Sequence, residues 1–340
     1  MSKHTHSKPK ILSLMPFKAI EMEYLSDFKT QFIIEELNVS NREEAIAAIR
    51  SNVVESGPYD AFIVLMGTKP YEPFTPEFLA PLIPHCKTIV SASAGYDKFP
   101  IDWLTENDIW FCNTRNSVSE PTADMAMFLT LAVIRDTSRA EKSARAGLWR
   151  NDHVPCTDPS GLKLGIIGMG AIGKHHARKA SVFNMHVQYY NRRRLPPEDE
   201  LIYNVTYCET LEDLLRTSDV ISVSCPLDAT TKGLLSHKEF AQMKDGTFLV
   251  NTARGAIIDE HALIAALESG KVARAGLDVF EDEPEINKYF IESDRCIIQP
   301  HLGGLTQKAR RDAEKECLEN IKSLFSTGRP VAPVNEISRR

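Results

Sequence analysis

Leu162 to Gly173 reads LKLGIIGMGAIG. The apolar run from Leu164 to Ile167 is of the kind that makes a buried strand. Gly168, Gly170 and Gly173 follow in the spacing G-x-G-x-x-G, and helix-compatible sequence runs on from Ala171. In a strand-turn-helix unit each glycine has its own task. Gly168 permits the tight turn out of the strand, Gly170 lets a pyrophosphate approach bare backbone, and Gly173 lets the helix pack close to the strand. The free N–H groups at the start of the helix, those of Ala171 and Ile172 among them, then face the phosphates together with the positive end of the helix dipole. A bare G-x-G-x-x-G also occurs in ordinary glycine-rich turns. The strand before it and the helix after it are what favour a dinucleotide.

Working outward, the same alternation continues on both sides. Downstream, apolar runs at Leu164–Gly168, His186–Tyr190, Val205–Cys208, Val220–Cys225, Thr247–Asn251, Ala273–Val279 and Cys296–Gln299 predict strands. Helical stretches at Ile172–Phe183, Leu211–Thr217, His237–Met243 and Asp259–Ser269 separate most of them. Right-handed crossovers joining six or seven parallel strands give a doubly wound sheet. Upstream, Lys10–Met15, Asp60–Met66, Lys87–Ser91 and Ile109–Asn113 predict four further strands, with a helix at Glu43–Ser51. One long helix is expected from Ser119 to Ala146, with Pro121 in its first turn and Gly147 as its stop. A last amphipathic helix spans Thr306 to Leu324 and ends at Gly328 and Pro330. The strands of the second block are complete before that helix, so the tail is expected to pack back on the first block.

Length and composition agree with this plan. The 340 residues suggest two domains at about 150 residues each. The net charge of −6 and the lack of a long basic run argue against nucleic acid as a partner. No apolar stretch approaches the about 18 residues of a membrane helix, and the polar start MSKHTHSKPK shows no secretory signal. It reads as a solvated tail in which His4 and His6 do not make a metal site. The seven cysteines are scattered, without a C-x-x-C pair, which points to reduced thiols, a cytoplasmic location and no bound metal.

The cofactor is read at the end of the second strand of the glycine block. An acidic residue about 20 residues beyond the glycines would bind a ribose 2′-hydroxyl. The position holds Asn191, followed by Arg192, Arg193 and Arg194. A carboxylate there would repel a 2′-phosphate, whereas asparagine beside guanidinium groups would accept it. NADP(H) is therefore expected over NAD(H), with Arg192 and Arg193 as the phosphate contacts.

Catalytic groups in such sheets sit at the carboxyl ends of strands. Arg254 follows FLVNTA, Glu283 lies just beyond GLDVF, and His301 follows CIIQP. A guanidinium can bind a substrate carboxylate and polarise its carbonyl. An imidazole can pass a proton to the substrate oxygen, and a carboxylate can hold and charge-stabilise the imidazolium.

The stretches SASAGYDKF (91–99), PTADMAMFLTLAVIRD (121–136), LKLGIIGMGAIGK (162–174), NTARGAIIDEHALIAAL (251–267), AGLDVFEDEP (275–284) and QPHLGG (299–304) together resemble the D-isomer-specific 2-hydroxyacid dehydrogenase family. The resemblance implies two Rossmann-like, doubly wound parallel-sheet α/β domains with a cleft between them. A discontinuous flavodoxin-like substrate domain would cover residues 1–118 and 308–340, and a dinucleotide-binding domain residues 119–307. It implies Arg254, Glu283 and His301 as the catalytic trio and the backbone at Ala94 and Gly95 as the receiver of the substrate carboxylate. Thr122 would lie near the cofactor and Asp278 near the nicotinamide amide. Cys225, Pro226, Thr231, Thr252, Ala253 and Gly303 complete the expected cofactor contacts. The reaction implied is reversible hydride transfer between NADP(H) and a 2-oxo acid, giving a D-2-hydroxy acid, in a homodimer and without metal. Glyoxylate/hydroxypyruvate reductases and D-mandelate-type dehydrogenases look most alike, so the substrate ranges from glyoxylate to a bulkier aryl or branched 2-oxo acid. Tyr96, Phe99, Trp103 and Trp149 are candidate pocket aromatics. The competing class is a non-catalytic, cofactor-sensing interaction protein of the corepressor type, which shares the fold and can keep the trio.

Overall fold

The computed structural model describes residues 8–150 and 155–337, so the tail carrying His4 and His6 lies outside the described residues. The chain divides into two units, Met1–Val118 with Thr306–Arg340, and Ser119–Leu305.

The first unit holds β1 (Lys10–Ser13), β2 (Ile33–Glu36), β3 (Ala61–Val64), β4 (Thr88–Ser91) and β5 (Trp110–Asn113), all parallel, in the order β2-β1-β3-β4-β5. That is the flavodoxin-like doubly wound order. β3, β4 and β5 are buried along their whole length, which is why each reads as an unbroken apolar run. β2 escaped the sequence reading for the opposite reason. It is an edge strand, exposed or half-exposed throughout, and Ile33-Ile34-Glu35-Glu36 carries neither an apolar run nor an alternation. The helix Gln307–Thr327 returns to this unit and packs against β4 and β5, burying Cys317, Leu318 and Ile321 completely. Glu314, 2% exposed, fixes its entry. Its carboxylate accepts the N–H groups of Lys18, Ala19 and Ile20, at 2.8 Å for the last.

The second unit holds β6 (Lys163–Ile167), β7 (His186–Tyr190), β8 (Val205–Tyr207), β9 (Val220–Val223), β10 (Thr247–Asn251), β11 (Val272–Leu277) and β12 (Cys296–Ile298). Its order is β12-β11-β10-β9-β6-β7-β8, again all parallel. The chain winds outward from β6 to one side, then crosses to β9 on the other, so the switch point lies between β6 and β9.

The long helix expected from Ser119 to Ala146 is two helices, Asn116–Arg135 and Thr137–Arg145. It starts earlier because Glu316 accepts the otherwise orphaned N–H of Ser117 at 2.8 Å, which leaves Pro121 inside the helix. It breaks at Asp136, which adopts a left-handed conformation with φ 51°. Arg274 holds the break. Its guanidinium donates to the carbonyls of Val133 and Ile134 and pairs with the buried Asp136 carboxylate, as does Arg139. A partner from β11 thus satisfies the helix end that the local sequence would have continued.

His176, on the helix Ala171–Val182, is fully buried between two other elements. Its Nε2 lies 3.3 Å from the Thr130 hydroxyl and its Nδ1 3.3 Å from that of Ser222. Burial, and then the charge of Lys179, hold its pKa down at about 4, against an ordinary value of 6.5. The unfolded chain therefore binds an extra proton between those two pH values, and stability is lost as the pH falls through that window. Urea unfolding should show a loss of about 3 kcal/mol from this residue between pH 7 and pH 4, at 1.36 kcal/mol per pKa unit. His176→Gln should remove that part of the acid sensitivity; equal slopes for both proteins would contradict the assignment.

Candidate active site

The glycine turn is built by contact distances. Gly168 has φ 101°, and a Cβ there would sit 2.5 Å from the backbone nitrogen of Cys225. A Cβ on Gly173 would sit 2.5 Å from the carbonyl oxygen of Gly168. A Cβ on Gly170, at the N-terminal cap of the helix Ala171–Val182, meets nothing within 4 Å. Two of the glycines are thus required by close packing, and the third leaves the helix N-terminus, with Ala171 and Ile172, open to an anionic ligand. The same end of the sheet carries buried hydroxyls without a partner among the described residues, Ser224 just beyond β9 and Thr252 just beyond β10. Open backbone donors beside unmet hydroxyls fit a dinucleotide.

Asn191, next after β7, turns its Oδ1 back to accept the N–H of Met169 in the glycine turn at 2.7 Å. An aspartate could make the same bond, but asparagine makes it without a negative charge. The three arginines that follow differ in their surroundings. Arg194 is bound to Glu200 through two parallel contacts of 2.9 Å and lies over the ring of Tyr207. That pairing, joined by the Tyr189 hydroxyl, holds the Glu200 carboxyl down at about 2. Arg192 is exposed and stands 3.8 Å from Asp228, and Arg193 is exposed. Asp228 belongs to the loop after β9, where it accepts from the N–H and hydroxyl of Thr230 and the N–H of Thr231. The Thr231 hydroxyl closes that loop on the carbonyl of Pro226 at 2.7 Å. Burial pushes the Cys225 thiol up to about 11, so it stays protonated at neutral pH.

Arg254, Glu283 and His301 follow the carboxyl ends of β10, β11 and β12, three neighbouring strands. The turn carrying Arg254 is stapled by Asn251, 1% exposed. Its Nδ2 donates to the Arg254 carbonyl and its Oδ1 accepts from Ala253. Gly255 lets this turn press on the next strand end, since a Cβ there would lie 1.9 Å from the carbonyl carbon of Phe280. Asn251 was missed as a positioning residue, although it opens the NTARG motif. Glu283 accepts the N–H of Phe280 at 3.1 Å through Oε1 and faces His301 Nδ1 at 2.9 Å through Oε2. A carboxylate accepts, so Nδ1 of His301 carries the proton.

His301 itself is held in the left-handed region at φ 57°, a conformation that costs a non-glycine residue about 1 kcal/mol or more. Asp278 maintains it. The Asp278 carbonyl accepts from the His301 N–H at 2.8 Å, and its two carboxylate oxygens accept from Leu302 and Gly303, each at 2.7 Å. Asp278 is 1% exposed, and burial pushes its pKa up against the lowering effect of those N–H groups. A Cβ on Gly303 would meet the Asp278 carboxylate at 2.9 Å and Thr122 at 3.2 Å, so Thr122, Asp278 and Gly303 form one packed group behind His301.

Ala94 and Gly95 lie in the first unit after β4, where the Ala94 carbonyl accepts from Asn113 Nδ2. Tyr96, Phe99 and Trp103 pack, half-buried, against the core of that unit. Trp149 is 78% exposed. Among the described residues no cluster of three or more His, Cys, Asp or Glu could hold a metal. No helix there is long and apolar enough to cross a membrane, and all seven cysteines are free.

This fold and these strand ends define an oxidoreductase that works on a nicotinamide dinucleotide. Residues 127–303 match the pattern of the D-isomer specific 2-hydroxyacid dehydrogenase, NAD binding domain. The chain is 58% identical to Dehydrogenase efuE of Hormonema carpetanum, over 98% of this chain and 83% of that protein. It is 40% identical to 4-methyl-2-oxopentanoate reductase A of Aspergillus oryzae, over 83% of this chain and 86% of that protein. The holo form of Rhodotorula graminis D-mandelate dehydrogenase superimposes with a TM-score of 0.91 at 32% identity, over 97% of this chain and 99% of that one. The chain belongs to the D-isomer specific 2-hydroxyacid dehydrogenase family.

Replacing Asp278 by Asn turns an amide NH2 toward one of two N–H groups that now meet carboxylate oxygens. Asp278→Asn should cost about 1–3 kcal/mol in urea unfolding. It should also lower kcat by about tenfold to a hundredfold through displacement of His301, while cofactor affinity changes less; an unchanged kcat would remove Asp278 from this role.

Proposed function

We propose that the protein reduces 2-oxo acids to D-2-hydroxy acids with NADPH, and runs the reverse reaction with NADP. The observation that carries this reading is the 2.9 Å contact between Glu283 and His301, beside Arg254 on a neighbouring strand end. A dinucleotide held by its pyrophosphate at the glycine turn would supply or accept the hydride at C2 of the substrate through its nicotinamide. Arg254 binds the carboxylate and polarises the carbonyl, and the backbone at Ala94 and Gly95 carries over from the family resemblance as a further carboxylate donor. His301, protonated on both nitrogens, donates from Nε2 to the forming alkoxide oxygen. Glu283 keeps the imidazole oriented through Nδ1 and stabilises its charge. Thr122, Cys225, Pro226, Thr231, Thr252, Ala253, Asp278 and Gly303 surround the cofactor in this reading.

Preference for NADP(H) rests on Asn191, which closes the glycine turn without a negative charge, and on the exposed Arg192 and Arg193. Arg194 is occupied by Glu200 and is set aside as a phosphate contact. The candidate substrates run from glyoxylate and hydroxypyruvate to a branched or aryl 2-oxo acid, since relatives named for 4-methyl-2-oxopentanoate, mandelate and glyoxylate all match over most of the chain. The exposed apolar Phe128, Leu148 and Trp149 support a homodimer, and the free thiols agree with a cytoplasmic location.

A panel of 4-methyl-2-oxopentanoate, phenylglyoxylate, hydroxypyruvate and glyoxylate, each with NADPH and with NADH, tests the proposal. Turnover is expected with at least one acid, at higher kcat/KM with NADPH. Arg254→Ala should lower kcat/KM by about a hundredfold or more with NADPH binding retained. Higher efficiency with NADH would overturn the cofactor preference, and binding of NADPH without turnover of any of the four acids would overturn the choice of substrates.

A further inference from the structure

The first unit has a switch point of its own. β1 and β3 are neighbours, while β2 lies on the far side of β1. In open α/β sheets the crevice beyond the carboxyl ends of such strands is where ligands bind. At that place lies a cavity of about 220 Å³. Met15, Leu37, Met66 and Tyr71 give it apolar side chains, Asn38 and Val39 line it beside them, and the Tyr71 hydroxyl donates to the carbonyl of Val39 at 2.8 Å.

The rim is charged. Lys18, Arg310 and Glu314 line it. The Glu314 carboxylate is already engaged by the backbone N–H groups of residues 18–20. Arg310, in the first turn of the helix Gln307–Thr327, is half-buried, and its guanidinium has no partner among the described residues. A bound carboxylate would give this guanidinium a charge-assisted partner.

We propose that this cavity binds a small organic acid, with its branched apolar body against Met15, Leu37, Met66 and the Tyr71 ring, and its carboxylate on Arg310 and Lys18. The cavity is too small for a nucleotide. The site lies wholly within the first unit and does not depend on Arg254.

Isothermal titration of the full chain with 4-methylpentanoate, which has no 2-oxo or 2-hydroxy group to react, tests the inference. Saturable binding is expected, weakened by about tenfold or more in Arg310→Met, the cost of a charge-assisted contact, and unchanged in Arg254→Met. Val39→Trp, which places an indole beside the cavity mouth, gives an independent readout and should also weaken binding. The neutral 4-methylpentanamide should bind more weakly than the acid. Absence of binding to the unmodified protein, equal affinity in Arg310→Met and the unmodified protein, or loss of binding in Arg254→Met would each overturn it.

Discussion

Everything at the dinucleotide end of the second unit depends on how closely two backbone segments approach. Gly168 lies so near Cys225 that a single added carbon would overlap the latter's backbone. β6 and β9 are adjacent strands of a parallel sheet, and their carboxyl ends must part to leave a crevice at the switch point. The turn after β6 can fold flat against the start of the loop after β9 only because no side chain stands between them. The Asn191 amide then ties that turn to the end of β7. Three strand ends are thereby locked into one surface, and the open face at Gly170 is the part left free.

The catalytic side is held by a different device. Asp278 spends both carboxylate oxygens and its carbonyl on the backbone of residues 301–303. A buried carboxylate is expensive unless each oxygen has a donor, and here both have one. The arrangement holds His301 in a backbone conformation it would not choose, with Nδ1 against Glu283. Asn251 does the same work one strand further on, for the turn that bears Arg254. Two of the three reacting groups of the proposed mechanism, Arg254 and His301, are thus placed by a buried polar side chain from their own or the next strand end.

Much of this was legible in the sequence because parallel strands buried on both faces read as apolar runs and their ends can be counted. That count put Asn191 after β7 and the Arg254, Glu283 and His301 positions after β10, β11 and β12. What stayed hidden rests on distant partners or on exposure. β2 is an edge strand with no core face to pattern it. The break at Asp136 depends on Arg274, 140 residues beyond Ile134. The difference between Arg194 and its two neighbours depends on Glu200, whose helix turns back toward the arginines. His176 carries no local signal at all, because its two hydroxyl partners come from a helix and a strand on either side of it in the chain.

The route of the backbone has a consequence for biosynthesis. Ile20 donates its backbone N–H to the carboxylate of Glu314, 294 residues later, and β4 and β5 are covered by the helix Gln307–Thr327. On the ribosome the first five strands emerge early, yet the helix that seals them is translated after the whole second unit. Domains tend to fold as units in the order they emerge. Here the first must wait, with part of its apolar face uncovered, while the second forms as a continuous stretch. A nascent chain of this protein therefore exposes an unsealed sheet for most of its synthesis, and that interval is when chaperone protection matters most.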